Sequence, residues 1–421
     1  MKSYVFYFDE SFHDRKILVN KNGQINAMAD NSLESYIGVF WGCEKDELGA
    51  NVKILKRFEE RQKDRFGLTK EQELKSTIIK STNYKYGIHS FNKNTLAFYQ
   101  DFFEILDFIS PIIQINAISK IEFFIRRAFE NVKMPDYYYF NKNVFYYTLT
   151  KFMIFYHNIE LLNSLYNIHD DNSFDSFRKL LLLNLEYILK AIDGIERKKS
   201  EINAYSQLYE VISVSTMKMD FAGKFDFCYY ANFEGLANLL SEKEIDINFV
   251  SVVIDKEEKT TISAKQFCFS SVMQEDSKEM IQIRFSDLIS GFIGRFLYAL
   301  SHDKGLEEDK VGDIRKIKDN NLEEKRIISK EWFDLSEEQF ELYKIMYNVL
   351  IIQHQEYWTC MTLSYNDEIS CFFTLMRYVA GYREYKKFIR INNKLHSEYY
   401  NAACCEELQR HYASFYDASK H

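Results

Sequence analysis

With 46% hydrophobic and 28% charged residues, a chain of 421 residues can bury more than one core, which excludes long disordered tracts and predicts two or three domains. The formal net charge of −8 argues against a general nucleic-acid sponge but leaves room for local basic faces. Seven cysteines without a CxxC pair exclude a disulfide frame or zinc site and point to a cytoplasmic protein; no apolar run reaches about 18 residues and the chain opens on a strand pattern, so neither a membrane span nor a secretory signal is expected.

The first residues alternate, with Tyr4, Phe6 and Phe8 on one face of a strand and Val5, Tyr7 and Asp9 on the other. A second strand is predicted from Ser35 to Cys43, a charged helix near 46–66, then the segment Glu73-Leu74-Lys75. An amphipathic helix follows near 92–109, and Pro111 leads into a strand ending at Ile118. Strands and helices alternating in this way predict an α/β core. From about 121 to 217 helical patterns take over, notably Tyr137 to Tyr166 and Phe174 to Ile195. The 2 prolines and 14 glycines leave few breakers for such helices. Strand character resumes at Ile247 to Asp255 and Gln266 to Val272, followed by a helix near 281–300. A charge-dense linker, Glu307 to Lys330, leads to a mainly helical end. The division is a core in two parts, 1–120 and 247–301, a helical insertion at 121–246, and a helical C-terminal region at 302–421.

Acids mark the ends of the apolar elements. Asp9-Glu10-Ser11 follows the first strand, Asp255 ends the strand that begins at Ile247, and Asp287 lies in an apolar helix. An acid after a strand is, by itself, most often a turn residue or a helix cap, and a helical acid is often solvent-facing. Carboxylates that converge from different elements instead form oxygen-ligand sites for divalent metals. Strand parity makes Asp9 the expected ligand and leaves Glu10, on the other face, as a second-metal or supporting residue. Ser290, Gly291 and Gly294 follow Asp287 at i+3, i+4 and i+7, a stripe of small residues expected to let the helix lie close to the sheet.

The opening Asp9-Glu10-Ser11, the Glu73-Leu74-Lys75 segment, the strand ending in Asp255, and Asp276-Ser277-Lys278 followed by Gln282 to Gly291 with Asp287 inside it resemble one pattern. It is that of the family filed as domain of unknown function 3800, which is thought to have a ribonuclease-H-like fold, and the resemblance covers residues 1 to about 300 outside much of the insertion. Three features differ from the family pattern: Phe12 stands where a glycine is usual, Gln282 lies five positions before Asp287 rather than three, and Ser119-Lys120 stands where the family often has an acid. The resemblance implies a ribonuclease-H-like mixed sheet and metal-dependent hydrolysis of phosphodiester bonds in RNA or DNA. Asp9 would bridge two Mg²⁺ or Mn²⁺ ions roughly 4 Å apart, with Asp255, Asp287 and Glu73 as further catalytic ligands and Glu10 beside them. Lys75 and Ser11 would then meet the substrate phosphate. Such nucleases serve in mobile-element biology or phage defence. The rival expectation is a catalytically degenerate protein that keeps the fold and binds protein or nucleic acid through its helical regions; an acid–base hydrolase without metal is a third.

Two stretches oppose the acidic average. Lys53 to Lys80 holds nine basic and five acidic residues, and Arg377 to Lys394 holds six basic residues and one acid. In the second, Arg377, Arg383, Lys386, Lys387 and Arg390 are candidates for binding nucleic-acid phosphates, with Tyr378, Tyr382, Tyr385 and Phe388 as stacking platforms for bases. The same pattern also describes an amphipathic helix whose rings face a core. His169-Asp170-Asp171 reads as a loop between helices, and the absence of P-loop, GxGxxG and GxSxG motifs weighs against nucleotide-binding and serine-hydrolase classes.

Overall fold

Strand β1 (Tyr4–Ser11) buries Val5 and Tyr7 on one face and Phe6 and Phe8 on the other, so both of its faces must be covered. In the computed structural model, which describes residues 2–11, 35–135, 141–156, 158–195, 198–217, 229–303, 328–354, 358–360 and 363–418, this strand lies inside a sheet. Strand β2 (Ser35–Glu44) leads directly into helix α1 (Lys45–Phe66); α2 (Lys93–Ile109) and β3 (Ile112–Ser119) follow. Ser119 ends β3 and caps α3 (Lys120–Ala128) by accepting from the Glu122 amide. Next come β4 (Val132–Lys133), α4 (Lys142–Tyr156), α5 (Ile159–Tyr166), α6 (Asp171–Ile192), α7 (Lys199–Val214), β5 (Thr216–Met217) and α8 (Tyr230–Glu242). The chain returns to the sheet through β6 (Val250–Asp255), α9 (Glu258–Ala264), β7 (Ser271–Glu275) and α10 (Ile281–Asp303). It closes with α11 (Glu337–Tyr347), β8 (Trp358–Cys360), α12 (Leu363–Ala380), α13 (Tyr385–Phe388) and α14 (Asn393–Ala418).

The sheet order is β7-β6-β1-β2-β3-β8. The β1/β6, β6/β7 and β3/β8 pairs are parallel, whereas β2 runs antiparallel to both β1 and β3, so β2 is the one reversed strand among those described. This is a mixed α/β architecture. One face of the sheet, with Val5, Tyr7, Val39, Trp41 and Val253, packs against α1, α2 and α10. The C-terminal helices join the same core, for example through Phe296 of α10 against Phe372 of α12. The opposite face, with Phe6, Phe8, Tyr36 and Phe40, is covered by α8. The helices between β3 and α8 form a core of their own around Leu149, Phe152, Phe177, Leu181 and Leu185. They touch the C-terminal helices where Lys151 and Tyr147 of α4 both reach Asp367 of α12, at 2.5 Å and 3.0 Å.

Two local expectations are corrected. The helix expected over Tyr137 to Tyr166 is broken, because the Asn158 side chain accepts from the Leu161 amide and starts α5 afresh. The strand expected at Gln266 to Val272 begins only at Ser271; Phe267 and Phe269 lie against Phe233 of α8, so their alternation reflects docking on a helix. His169 and Asp170 lie in the expected break between α5 and α6, where Asp170 caps α6 reciprocally with Ser173. Phe12, Tyr137 to Phe140 and most of the Glu307 to Lys330 linker lie outside the described residues.

Candidate functional site

The parallel register pairs Tyr7 with Val253 and Phe8 with Ile254, so Asp9 and Asp255 follow at the same end of adjacent strands. By alternation both share the face of Tyr7 and Val253, the face on which α10 lies. The N-terminal half of α10 is fastened to that face by polar contacts. Ser286 donates to the Tyr7 carbonyl at 3.0 Å, the Ser290 and Ser11 hydroxyls are 2.9 Å apart, and Trp41 Nε1 donates to the Gln282 carbonyl at 2.6 Å. Asp287, next to Ser286, is thereby brought over the strand ends. Asp9, Asp255 and Asp287 come from three distant parts of the chain and meet at one end of the sheet.

Asp9 feels the other two acids. Burial pushes the Asp9 carboxyl well above its usual range, and the neighbouring Asp287 and Asp255 push it further; the Glu10 amide and Lys75 oppose this. Burial also raises Asp287, against the Ser76 hydrogen bonds and the positive charges of Arg295 and Lys75. Asp255 accepts from the amides of Lys256 at 2.8 Å and Ser277 at 3.2 Å, which fixes its carboxylate at the β6 terminus.

Ser76, absent from the sequence-derived set, is the closest partner of Asp287. Its amide donates to Oδ2 at 2.7 Å and its hydroxyl to Oδ1 at 2.8 Å. This contact revises the expected role of the small-residue stripe: a Cβ on Gly291 would lie 2.3 Å from Ser76 Cβ and Oγ, so Gly291 makes room for the Ser76 segment, while the serines of α10 meet β1. Arg295, buried two turns beyond Asp287, donates to the Gly291 carbonyl at 2.9 Å and reaches the Ser76 hydroxyl at 3.4 Å. The signals for these two residues in the sequence are weak: Ser76 merely follows Lys75, and Arg295 lies at i+8 from Asp287.

Glu73 and Lys75 form an ion pair of 2.7 Å. Lys75 is half-exposed, and the fields of Asp287 and Asp9 act on it, so it lies beside the acids. The second Glu73 oxygen, Oε1, is buried without a hydrogen-bond partner. Glu10 lies on the opposite face, as parity requires, and its side-chain partner there is Glu257; burial and then Asp9 and Glu257 push its carboxyl upward. Glu257 in turn accepts from Tyr229 at 3.0 Å and from Thr260. Glu10 thus lies off the face of Asp9 and Asp287, where parity placed it, and belongs to this second acidic pair. Ser11 is corrected: the strand continues through it, which turns its hydroxyl under α10 instead of toward substrate.

The basic candidates are dispersed. Arg377 on α12 lies 3.4 Å from Glu407, and Lys387 lies 3.6 Å from Glu384, while Arg383, Lys386 and Arg390 are exposed around α13. Phe388 is buried and stacks on His396 at 4.2 Å, Tyr378 and Tyr382 pack on the same ring, and Tyr385 donates to the Leu335 carbonyl. These rings serve the core, as the amphipathic-helix reading of this stretch expects, and not as platforms for bases. In the first basic stretch, Arg61 and Arg65 pair with Asp101, and Lys63 with Glu59. Arg284 forms a buried two-pronged pair with Glu59 at 3.0 and 2.8 Å.

No family model, curated protein or solved structure matches this chain. The site must therefore be judged on its own chemistry. Its donors are carboxylate oxygens, the kind that Mg²⁺ and Mn²⁺ prefer. Asp9, Asp255 and Asp287 outnumber the cations Lys75 and Arg295 that act on them. Among the described residues, however, no three His, Cys, Asp or Glu side chains are gathered closely enough to hold one ion. No helix among them is long and apolar enough to cross a membrane.

Proposed function

We propose that this protein is a Mg²⁺- or Mn²⁺-dependent nuclease of the ribonuclease-H-like class, related to the family filed as domain of unknown function 3800, that hydrolyses phosphodiester bonds of RNA or DNA. The observation that carries the reading is the meeting of Asp9, Asp255 and Asp287 at one end of β1, β6 and α10, where Asp9 feels both other acids. The strand arrangement supports it: β1 is flanked by antiparallel β2 and parallel β6, a mixed sheet of the kind that the resemblance implies.

In this reading Asp9, Asp255 and Asp287 would hold divalent cations in groups smaller than three, with substrate phosphate completing the ligands. A divalent ion bound there supplies stabilisation of the charge that develops on phosphoryl oxygens during displacement. Lys75 presents its half-exposed ammonium to the same space and meets a substrate phosphate by exchanging Glu73 for it. The helical regions select the nucleic acid or a protein partner. Cytoplasmic action in mobile-element biology or phage defence belongs to the same proposal and rests on the resemblance alone.

The test is cleavage of labelled single- and double-stranded RNA and DNA with Mn²⁺. Wild type should cut at least one of them and stop in EDTA, whereas Asp9→Ala and Asp287→Ala should not cut yet should melt cooperatively. Wild-type cutting by both variants would sink the assignment. A second reading, a catalytically degenerate binding module, draws on the spacing of the carboxylates, none of which are gathered three to an ion among the described residues. Calorimetry with Mn²⁺ separates the two, since only an intact site takes up the ion.

A further inference from the structure

Asp287 is a half-buried carboxylate near a buried arginine. Arg295 is 8% exposed and stands two helical turns from Asp287 on α10, yet it does not form a direct ion pair with it. Ser76, 4% exposed, stands between them. The serine gives its amide hydrogen to one Asp287 oxygen and its hydroxyl hydrogen to the other, at 2.7 and 2.8 Å. A hydroxyl that donates its only hydrogen to a carboxylate has lone pairs left for a donor, and the Arg295 guanidinium approaches on that side at 3.4 Å. The guanidinium is itself aimed by its 2.9 Å bond to the Gly291 carbonyl, one turn from Asp287.

From this geometry we infer that Ser76, backed by Arg295, is a positioning residue that fixes the direction of the Asp287 carboxylate for cation binding. The inference rests on the reading that Asp287 holds a cation. A direct arginine–carboxylate fork would occupy both oxygens with strong charge-assisted bonds and compete with a metal. Interposing a neutral hydroxyl leaves each oxygen one accepted hydrogen bond and a remaining lone pair, while the positive charge stays close enough to act on Asp287. Groups that orient metal-binding carboxylates in this way affect affinity by about 10- to 100-fold when removed. Gly291 is part of the device, because any side chain there would displace Ser76.

The experiment is calorimetric titration with Mn²⁺ alone on the full chain, comparing wild type, Asp287→Ala, Ser76→Ala, Arg295→Met and the double variant Ser76→Ala/Arg295→Met, with melting curves to check folding. Ser76→Ala should weaken Mn²⁺ binding by about tenfold. Arg295→Met should also weaken it, and the double variant should bind no more weakly than the poorer single one, since both act along one route. Wild-type affinity in Ser76→Ala, which leaves the arginine's surroundings filled, overturns the inference even if Arg295→Met fails to fold. Losses that multiply in the double variant also overturn it, because Arg295 would then act independently of the serine. Wild-type binding by Asp287→Ala overturns the nuclease reading itself, whereas loss there with intact binding by Ser76→Ala overturns only the positioning role.

Discussion

Gly291 and Ser76 approach so closely that a methyl group on the glycine would lie 2.3 Å from the serine hydroxyl. Gly291→Ala therefore pits two effects against each other. Alanine gains about 1 kcal/mol in helix propensity, while overpacking a filled interior costs about 1–3 kcal/mol. The clash includes Ser76 Cβ, which is fixed by its own backbone bond to Asp287, so the cost should win. Urea denaturation should show a net loss of stability, and Mn²⁺ affinity should fall with it; a stabilised variant that binds normally would contradict this packing.

The acid cluster makes stability depend on pH in an inverted sense. Asp9 and Asp287 have carboxyls raised above the usual 3.8, so between about pH 4 and their raised values the folded chain binds more protons than the unfolded one. Stability without metal should fall as pH rises through that window. Asp9→Asn should flatten the fall and raise the melting temperature near neutrality while abolishing Mn²⁺ binding. Added Mn²⁺ should oppose the fall in wild type, by about 2.7 kcal/mol at about 100 times its Kd. Thermal melts across pH, with and without Mn²⁺, check both signs.

Glu10 adjoins Asp9 in sequence but is turned to the other face, toward Glu257. Glu10→Gln should therefore keep the Mn²⁺ affinity of wild type, in contrast to Asp9→Asn. Equal losses from both substitutions, measured by calorimetry, would return Glu10 to the ligand set.

Glu59 and Arg284 form the buried ion pair that anchors the start of α10 to α1. Removing the acid leaves a guanidinium only 9% exposed with its charge uncompensated. Glu59→Ala should cost about 3–5 kcal/mol in a urea melt, and replacing both partners by apolar residues should cost much less.

Alternation made much of this site legible in the sequence. The parity of Val5, Tyr7 and Asp9, and of Ser251, Val253 and Asp255, places both acids on the α10 face, because a period of two fixes which side of a sheet a residue meets. The same rule separates Glu10 from Asp9 and turns Ser11 under the helix, once the strand is known to run through Ser11. Ser76 was not legible: it sits in a short 3₁₀ turn with no periodic signal, and its partner lies 211 residues away. Phe267 and Phe269 alternate like a strand yet dock on α8, a contact that only the tertiary fold decides. The aromatic residues among the cations of Arg377 to Lys394 were equally ambiguous, since rings that face a core and rings that face a ligand share one spacing.

Strand β1 is made long before its parallel neighbour β6, whose Val250 lies across from Tyr4. Closing so long a loop is slow and leaves strand edges exposed in the meantime. During translation Asp9 must wait, solvated and without its companions, until Asp255 and then Asp287 have left the ribosome. The three acids are therefore brought together only in a chain that has been made through α10.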